Sequence, residues 1–341
     1  MPKNNTKLRI GTLQLDSNVI LAPMAGITDY PYRKLYRQFG CPAACTEMIN
    51  TRSLANFSEK TLKMLYTDKA DSPLGVQLAG SDEKYIKEAV KKTEKIDFDF
   101  IDLNAGCPVR KVINNGSGSA LLNNPDKLID LVKIIKDNSS RPVTVKIRAG
   151  LDRENVNSGE IAEKLSRAGV DAISVHGRTK TEMYRGEVDY LAIKEAVNFS
   201  SVPVLASGNL FTPQDVEKMF KKTGCAGVLI ARGSCGNPWI FNDIITYMEG
   251  KPLPAIRPAA KVGDVMLLHL QYMIDFYGQD AGSKIYRKHF IHYTRYFTHT
   301  KDLRRKVFRT SEPKKIKEII GEFKDKAVCC RHPYLQNSSQ S

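Results

Sequence analysis

The sequence of 341 residues lacks several features that define common protein classes. No apolar run approaches the roughly 18 residues that a membrane-spanning helix needs, so no membrane span is expected. Residues 1–9 are polar and contain no apolar signal segment, which makes the cytoplasm the expected location. The seven cysteines form no pair of CxxC motifs, so neither a metal site nor a disulfide framework is expected.

A dinucleotide-binding fingerprint is also missing. The segment 114–119 contains a GxG pattern, but it has no third glycine at the required spacing and does not directly follow a strand pattern. We therefore interpret this segment as a mobile loop over a binding site.

The charge of the chain is unevenly distributed. Its 52 lysines and arginines exceed its 37 acidic residues by 15. Residues 251–341 contain 18 basic and 8 acidic residues, so most of the excess lies in the last quarter of the chain. A basic module beside a nearly neutral larger domain favours a polyanionic partner such as a nucleic acid.

Eight short apolar runs recur before residue 248, and helical patterns alternate with them. The runs are Val19–Ala22, Ala43–Glu47, Leu74–Ala79, Phe98–Asn104, Pro142–Arg148, Val170–His176, Val202–Ser207 and Cys225–Ala231. Strands that alternate with helices predict a parallel sheet, and eight such units predict an α/β fold of the (β/α)8 TIM-barrel type. The alternative is an open, doubly wound sheet. Ser81, Asn124 and Thr212 are expected N-caps of the helices.

The pattern changes after the predicted barrel, which we assign to residues 1–248. Residues 249–264 contain two glycines and three prolines and are predicted to form a linker. A small C-terminal helical bundle is predicted for 265–323, with helices over Val265–Tyr277, Ala281–Thr298 and Pro313–Phe323. Residues 324–341 are interpreted as a polar, disordered tail.

Polar and reactive side chains follow the predicted strands at the end where barrel enzymes carry their chemistry. Gln77 lies in the third strand, Asn104 and Cys107 follow the fourth, Lys146 lies in the fifth and His176 ends the sixth. Solvent contact at strand ends explains one or two polar residues but not this whole set. The sequence therefore predicts an active site at this end of the barrel.

The last two strands indicate a phosphate site. Barrels often bind a phosphate at the loops after these strands, through backbone N–H groups. Gly208 and Gly233 permit a close approach of the backbone, and Arg232 adds a fixed positive charge. This arrangement suits the phosphate of a mononucleotide cofactor. Lys146 could then stabilise negative charge on a reduced flavin ring.

Several motifs together make the chain similar to the tRNA-dihydrouridine synthase family. In order they are Leu21–Asp29, Val76–Gly80, Asp102–Pro108, Val145–Arg148, Val175–Thr179, Arg232–Gly233 and Gly236–Trp239. The match covers roughly residues 9–245, and a helical C-terminal domain is also the plan of the family. The resemblance implies reduction of specific uridines in tRNA to dihydrouridine, with FMN as cofactor and NADPH or NADH as reductant.

The resemblance also implies roles for individual residues. Cys107 would be the catalytic proton donor, and Asn104 and Arg178 would contact the substrate. The residues implied to bind the cofactor are Pro23, Met24, Ala25, Gln77, Lys146, His176, Ser207, Gly208, Asn209, Ala231 and Arg232.

The implied mechanism delivers hydride from reduced FMN to C6 of uracil and a proton from Cys107 to C5. An ordinary thiol has a pKa of about 8.5 and stays mostly protonated near neutral pH, which suits a proton donor. Asn104 offers both a donor and an acceptor to the uracil edge. The base must leave its stack to reach the flavin.

Cations and aromatics interleave in the C-terminal region. We expect its aromatic residues, which fall at helical spacing, to form a core, whereas the cations are candidates for contact with tRNA phosphates. The candidate tRNA contacts are Arg287, Lys288, Arg304 and Arg305. Two other functions stay open: an FMN-dependent oxidoreductase of a small enone or pyrimidine, and a non-catalytic RNA-binding protein.

Overall fold

The computed structural model describes residues 7–329, and a closed parallel barrel forms its larger part. The strands are β1 Leu8–Ile10, β2 Leu13–Leu15, β3 Val19–Leu21, β4 Ala44–Cys45, β5 Ile49–Asn50, β6 Leu74–Ala79, β7 Phe100–Ala105, β8 Val143–Gly150, β9 Ala172–Thr179, β10 Val204–Ser207 and β11 Gly227–Ile230.

Closure of the barrel follows from the strand pairing. Strand β11 pairs in parallel with β3, β3 with β4, and β4 with β6, while β6 to β11 pair in chain order. The short β5 adds to β6 beyond β4. All eight predicted strands are thus confirmed, and the alternative of an open, doubly wound sheet is wrong.

An antiparallel hairpin of β1 and β2 closes the amino-terminal end of the barrel. Its Leu8, Ile10 and Leu15 are buried against Ile20 and Leu229 from the barrel interior. Burial of these apolar side chains against the interior stabilises the closed end. The opposite end, where the strands finish, remains for a binding site.

Helices connect the barrel strands. They are α1 Tyr30–Gln38, α2 Thr51–Ala55, α3 Glu59–Met64, α4 Glu83–Thr93, α5 Arg110–Ile113, α6 Pro125–Asn138, α7 Ser158–Arg167, α8 Tyr190–Phe199, α9 Pro213–Thr223 and α10 Ile240–Met248, with 3-10 turns at Lys69–Asp71 and Gly118–Asn123. Asn124 and Thr212 cap α6 and α9 as predicted. Asp82, not Ser81, caps α4, because the Ser81 hydroxyl donates to the carbonyl of Asn115 instead.

Four helices follow α10 within the described residues, where three were predicted. They are α11 Ala259–Tyr277, α12 Gln279–Thr294, α13 Lys301–Phe308 and α14 Pro313–Lys326. Helix α11 begins at Ala259 because Pro258 presets the backbone there, so the predicted linker 249–264 is too long.

The helix that was not predicted is α13, because most of its residues are charged. In α13 only Leu303 and Val307 are buried, one turn apart among cations, so the apolar pattern is too short to detect. Helix α14 runs to Lys326, into the segment interpreted as a disordered tail, because Ile316, Ile320 and Phe323 anchor its apolar face. The part of that tail from 330 to 341 lies outside the described residues.

The C-terminal helices pack on the first barrel helix. Tyr32 and Tyr36 of α1 stack with centroids 4.0 Å apart, and Tyr32 meets the rings of His269 and His289. The hydroxyl of Tyr277 donates to Asp29, the N-cap of α1, at 3.0 Å. No helix of the described part of the chain is long and apolar enough to span a membrane.

Candidate active site

A cavity of about 390 Å³ lies at the carboxyl ends of the barrel strands. Because all eight strands run in the same direction, their last residues and following loops meet at this end. Cys107 and Asn104 line it, and so does every residue predicted to bind the cofactor: Pro23, Met24, Ala25, Gln77, Lys146, His176, Ser207, Gly208, Asn209, Ala231 and Arg232. The roles of these residues stay predictions.

The strand register explains why residues distant in sequence meet here. Alternate residues of a strand face the same side, so 102 and 104 share the barrel interior with 144 and 146. Neighbouring pairs around the interior are Gln77 with Asp102, Asp102 with Thr144, Asn104 with Lys146, Arg148 with His176, and His176 with Ser207.

The half-buried Cys107 is held on both sides of its peptide unit. Its backbone N–H donates to Asn104 Oδ1 at 2.9 Å, and its carbonyl accepts from the N–H and the hydroxyl of Ser119, both at 3.0 Å. Gly118 has a φ of +62°, and a Cβ there would lie 2.7 Å from the Cys107 carbonyl oxygen. The side chain of Cys107 therefore enters the cavity from a fixed backbone.

The segment 114–119 supports Cys107 and does not line the cavity. Ser117 and Ser119 are buried, and Ser81 donates to the carbonyl of Asn115 at 2.6 Å. These contacts tie the segment to the loops after β6 and β7. The segment therefore does not lie over the cavity as predicted, because it packs against the backbone of Cys107. Its mobility stays a prediction.

Positive charge dominates the electrostatics of the cavity. Burial and the neighbouring Arg148 lower the pKa of Lys146 to about 8, and its ammonium lies 3.4 Å from the Ser207 hydroxyl. Burial, together with Lys146 and three nearby arginines, holds the pKa of His176 well below its ordinary value. His176 is therefore neutral at pH 7, and the cavity favours an anionic or electron-rich ligand.

Strands β10 and β11 build the most cationic flank of the cavity. Gly208 and Asn209 have φ values of +130° and +50°, and Asn209 Oδ1 accepts from Arg232 at 3.2 Å. A Cβ on Gly233 would lie 2.1 Å from the carbonyl oxygen of Leu210, so only glycine lets the two loops approach. This flank has the composition expected of a phosphate site.

Arg178 is the predicted site residue that the structure keeps away from the cavity. Its side chain is 1% exposed and does not line the cavity. The guanidinium donates to the carbonyls of Arg185 and Gly186 and to Asn209 Oδ1. The structure therefore places Arg178 outside the cavity lining, with its guanidinium engaged within the protein, and its contact with a substrate stays a prediction.

Sequence reasoning missed several lining residues, among them Met48, Tyr184 and Phe211. Tyr184 is half-exposed, and its ring centroid lies 5.5 Å from the guanidinium carbon of Arg148 and 5.8 Å from that of Arg232. Arg148 holds the Tyr184 loop by donating to the carbonyls of Thr179 and Met183. The sequence signal that could have identified Tyr184 is an aromatic residue in the loop after a strand, in a region rich in arginine.

The four predicted tRNA contacts differ in their surroundings. Arg287 donates to the carbonyl of Thr310, and Arg304 donates to the carbonyl and hydroxyl of Thr294 at the end of α12. Lys288 donates to the carbonyl of Gly26, beside the loop that lines the cavity.

Arg305 alone among the four is exposed: its side chain is 62% accessible and forms an ion pair with Asp302 at 3.3 Å. Exposed pairs of this kind contribute little to stability, so the guanidinium can exchange this partner for another anion.

Comparison with known proteins identifies relatives along most of the chain. The model of the dihydrouridine synthase family matches residues 20–328. The tRNA-dihydrouridine synthase B of Pseudomonas aeruginosa is 39% identical over 286 residues, which are 83% of this chain and 85% of that protein. The protein of the same name from Pseudomonas syringae pv. tomato is 35% identical over 98% of both chains.

Solved structures resemble the fold at low sequence identity. The old yellow enzyme homologue from Zymomonas mobilis is 12% identical, with a TM-score of 0.56 over 75% of this chain and 95% of that chain. Histamine dehydrogenase from Rhizobium sp. 4-9 is 13% identical, with a TM-score of 0.57 over 80% of this chain and 51% of that one. At these identities the likeness establishes the barrel fold alone.

Proposed function

The chain belongs to the dihydrouridine synthase family, and from that premise we propose that its cavity reduces specific uridines in tRNA to 5,6-dihydrouridine. The observation that carries the proposal is the arrangement of Cys107, Asn104 and Lys146 around one cavity at the strand ends. A thiol, an amide and an ammonium in this arrangement can protonate a base, bind its edge and stabilise negative charge.

The cofactor implied by the family is a flavin, and we propose that it is FMN. The cavity offers an apolar side from Pro23, Met24 and Ala25, and a cationic side from Arg232 next to Gly208. A flat ring system suits the first side and a phosphate suits the second. The residues present therefore fit this cofactor.

The side chains of the protein have distinct tasks in the proposed reaction. When bound, the reduced flavin supplies the hydride for C6 of uracil, and NADPH or NADH supplies the electrons to regenerate it. Cys107 donates the proton to C5 from its fixed position. Lys146 is mostly protonated at pH 7, because its lowered pKa of about 8 still lies above that pH, and its charge stabilises negative charge in the cavity.

We further propose that the four C-terminal helices, which the sequence assigned to residues 265–323 and which extend over 259–326, form the tRNA-binding part, and that residues 1–248 form the catalytic domain. The helices dock against α1, close to the loop that lines the cavity, so an RNA bound to their exposed cations lies near the site. Specific tRNA substrates make the cytoplasm the expected compartment.

Two measurements test the function together. The purified protein is examined for a flavin absorbance spectrum, and NADPH oxidation is followed with unmodified tRNA while dihydrouridine is quantified by mass spectrometry. We expect flavin absorbance and dihydrouridine formation that depends on tRNA. Reduction of free uridine or an enone without any activity on tRNA would contradict the proposal, and so would a protein that binds no flavin.

A further inference from the structure

A row of hydrogen-bonded side chains connects the barrel interior with the catalytic loop. Gln77 Nε2 donates to Asp102 Oδ2 at 2.7 Å, and Asn104 Nδ2 donates to Gln77 Oε1 at 2.8 Å. Asn104 Oδ1 in turn accepts from the backbone N–H of Cys107 at 2.9 Å and of Gly106 at 3.2 Å. We call Asp102, Gln77 and Asn104 the amide relay.

The two ends of the amide relay have fixed hydrogen-bonding polarity. A backbone N–H only donates, and at the other end the two carboxyl oxygens of Asp102 accept from Gln77 and Thr144. A side-chain amide changes little in shape when it is turned over, so its partners decide which atom faces which neighbour. With Asp102 at one end and Cys107 at the other, one arrangement of the two amides satisfies every contact.

Burial makes this arrangement strongly preferred. Asp102, Gln77 and Asn104 are 3%, 1% and 7% exposed, so water cannot replace a lost partner easily. A reversed amide would place two donors or two acceptors together. We expect the reversed orientation to be populated at least about tenfold less than the observed one. The hydroxyl of Thr144 donates to the second oxygen of Asp102 at 2.6 Å and holds the carboxylate in place.

We propose that Asp102 is a positioning residue that fixes the orientation of the Gln77 and Asn104 amides and, through them, the backbone that carries Cys107. The proposal rests on the proposed function, which makes Cys107 the proton donor. Asp102 itself lies outside the set of residues that line the cavity, so it acts through Gln77 and Asn104.

The amide relay also determines what Asn104 offers to a bound base. Its Oδ1 accepts two backbone N–H groups, and one of its Nδ2 hydrogens is donated to Gln77. The remaining Nδ2 hydrogen is the group left for the cavity, so Asn104 presents a donor. A donor complements a carbonyl oxygen of uracil. Cytosine carries an amino group in place of one of these oxygens, and two donors cannot form a hydrogen bond with each other. The expectation that Asn104 offers both a donor and an acceptor is thereby narrowed.

Backbone exchange tests the amide relay without reference to activity. In Asp102→Leu, hydrogen exchange of a peptide covering residues 104–109, measured by mass spectrometry, should accelerate about tenfold because the amides lose their anchor. The control Thr144→Val removes a neighbouring hydrogen bond from Asp102 but leaves Gln77 in contact, so its exchange should change less. Unchanged exchange in a flavin-bound Asp102→Leu protein overturns the proposal.

An isosteric variant covers the case in which Asp102→Leu does not fold. Asp102→Asn can still accept from Gln77 if its own amide donates to the Thr144 hydroxyl, so we expect a small effect alone. In the double variant with Thr144→Val, the new amide of Asn at position 102 has no hydroxyl to donate to. Backbone exchange should then accelerate by more than the sum of the effects of the two single variants. Strictly additive effects contradict the amide relay.

A double-mutant cycle connects the amide relay with the reaction. Asp102→Leu, or Asp102→Asn with Thr144→Val, should lower the single-turnover rate of dihydrouridine formation about tenfold without changing the affinity for tRNA. In an Asn104→Ala background the same change should have no further effect, because Asp102 acts through Asn104. Independent effects contradict the proposal, whereas absence of dihydrouridine with the unaltered protein contradicts the proposed function and leaves the exchange test intact.

Discussion

The barrel and the C-terminal helices use their cations in different ways. In the barrel, Arg33, Arg148 and Arg178 are at most 2% exposed, and each donates to backbone carbonyls of the protein. In the C-terminal helices the cations range from the anchored Arg304 to the exposed Arg305. A buried guanidinium must have its donors satisfied within the protein, whereas an exposed one can exchange solvent for a phosphate.

Residue type alone therefore does not identify a binding residue in this protein. Arg178 lies at the end of β9, Arg232 follows β11 on the other side of β10, and both donate to Asn209 Oδ1. Only Arg232 lines the cavity, because its side chain stays partly open between the rings of Tyr184 and Phe211. The following predictions test this division between buried and accessible groups, from the largest expected effect to the smallest.

The largest effect is expected at Cys107, the proposed proton donor of the barrel. Cys107→Ala should retain the flavin spectrum but lower dihydrouridine formation by about 10²- to 10⁴-fold, because the proton donor is removed. Cys329→Ala, which alters the other half-exposed cysteine of the described chain, is the matched control and should keep full turnover. Comparable activity of the two variants would remove Cys107 from the mechanism.

Arg232 tests the accessible side of the barrel. Arg232→Met should weaken flavin binding by about 10- to 100-fold, because a charge-assisted contact to the phosphate is lost. Turnover should recover when FMN is added in excess, since the catalytic groups are untouched. An unchanged dissociation constant for FMN, measured by fluorescence titration, would move the phosphate site elsewhere.

Lys146 tests the electrostatic role of a half-buried cation. Its pKa is lowered to about 8, so the charge is present below that pH and is lost as the pH rises through it. The rate of dihydrouridine formation should therefore fall as the pH rises through the pKa of Lys146. With an anionic flavin bound, that pKa is higher than in the free protein, so the fall is expected at or above about pH 8. Lys146→Arg retains a charge that does not titrate, so this limb should disappear from its pH profile.

If the rate of Lys146→Arg still falls near pH 8, the fall must be assigned to the titration of another group. The lowered pKa has a separate consequence for the flavin-free protein. The unfolded chain binds the proton up to about 10.5, so the free energy of unfolding should increase with pH between about 8 and 10.5.

Arg305 tests the exposed cations of the C-terminal helices. Arg305→Glu should weaken tRNA binding several-fold and reduce the salt dependence by about one or two counterions, without a change in melting temperature. Asp302→Asn, which removes the ion-pair partner of Arg305, is the control and should leave binding equal or stronger. Unaltered affinity in Arg305→Glu would place the RNA surface on another face.

Arg304 sharpens the distinction within the same helix. Arg304→Ala removes hydrogen bonds to the hydroxyl and carbonyl of Thr294, so it should lower the free energy of unfolding by ~1–2 kcal/mol. Thermal denaturation measures this change. If the stability is unaffected while tRNA affinity falls as far as in Arg305→Glu, Arg304 belongs with the accessible cations.

Much of the fold was predictable because it depends on local patterns. Each barrel strand lies in an apolar run of four to seven residues, and each run is followed by a helix with apolar residues three and four apart. The capping residues Asn124 and Thr212 act within one turn of their own helix, so sequence reasoning placed them correctly. Helix α13 escaped prediction because its two buried residues are too few to define a period.

The candidate site was predictable to a lesser extent. Strand ends of a parallel barrel must converge, so Gln77, Asn104, Lys146 and His176 could be assigned to one cavity from their positions in the strands. Whether an arginine beside them faces the cavity depends on carbonyls from another loop. Arg178 illustrates this dependence, because Arg185 and Gly186 hold it inside.

The sequence by itself determined the order of strands and helices, the residues that meet at the strand ends and the uneven charge of the chain. These properties depend on composition and on spacing within short segments. The tertiary structure alone decided which cations are buried, which way the amides of Gln77 and Asn104 face, and that residues 114–119 support Cys107. The physical reason is that hydrogen-bond partners from distant segments decide burial and orientation, and they come together only when the barrel closes.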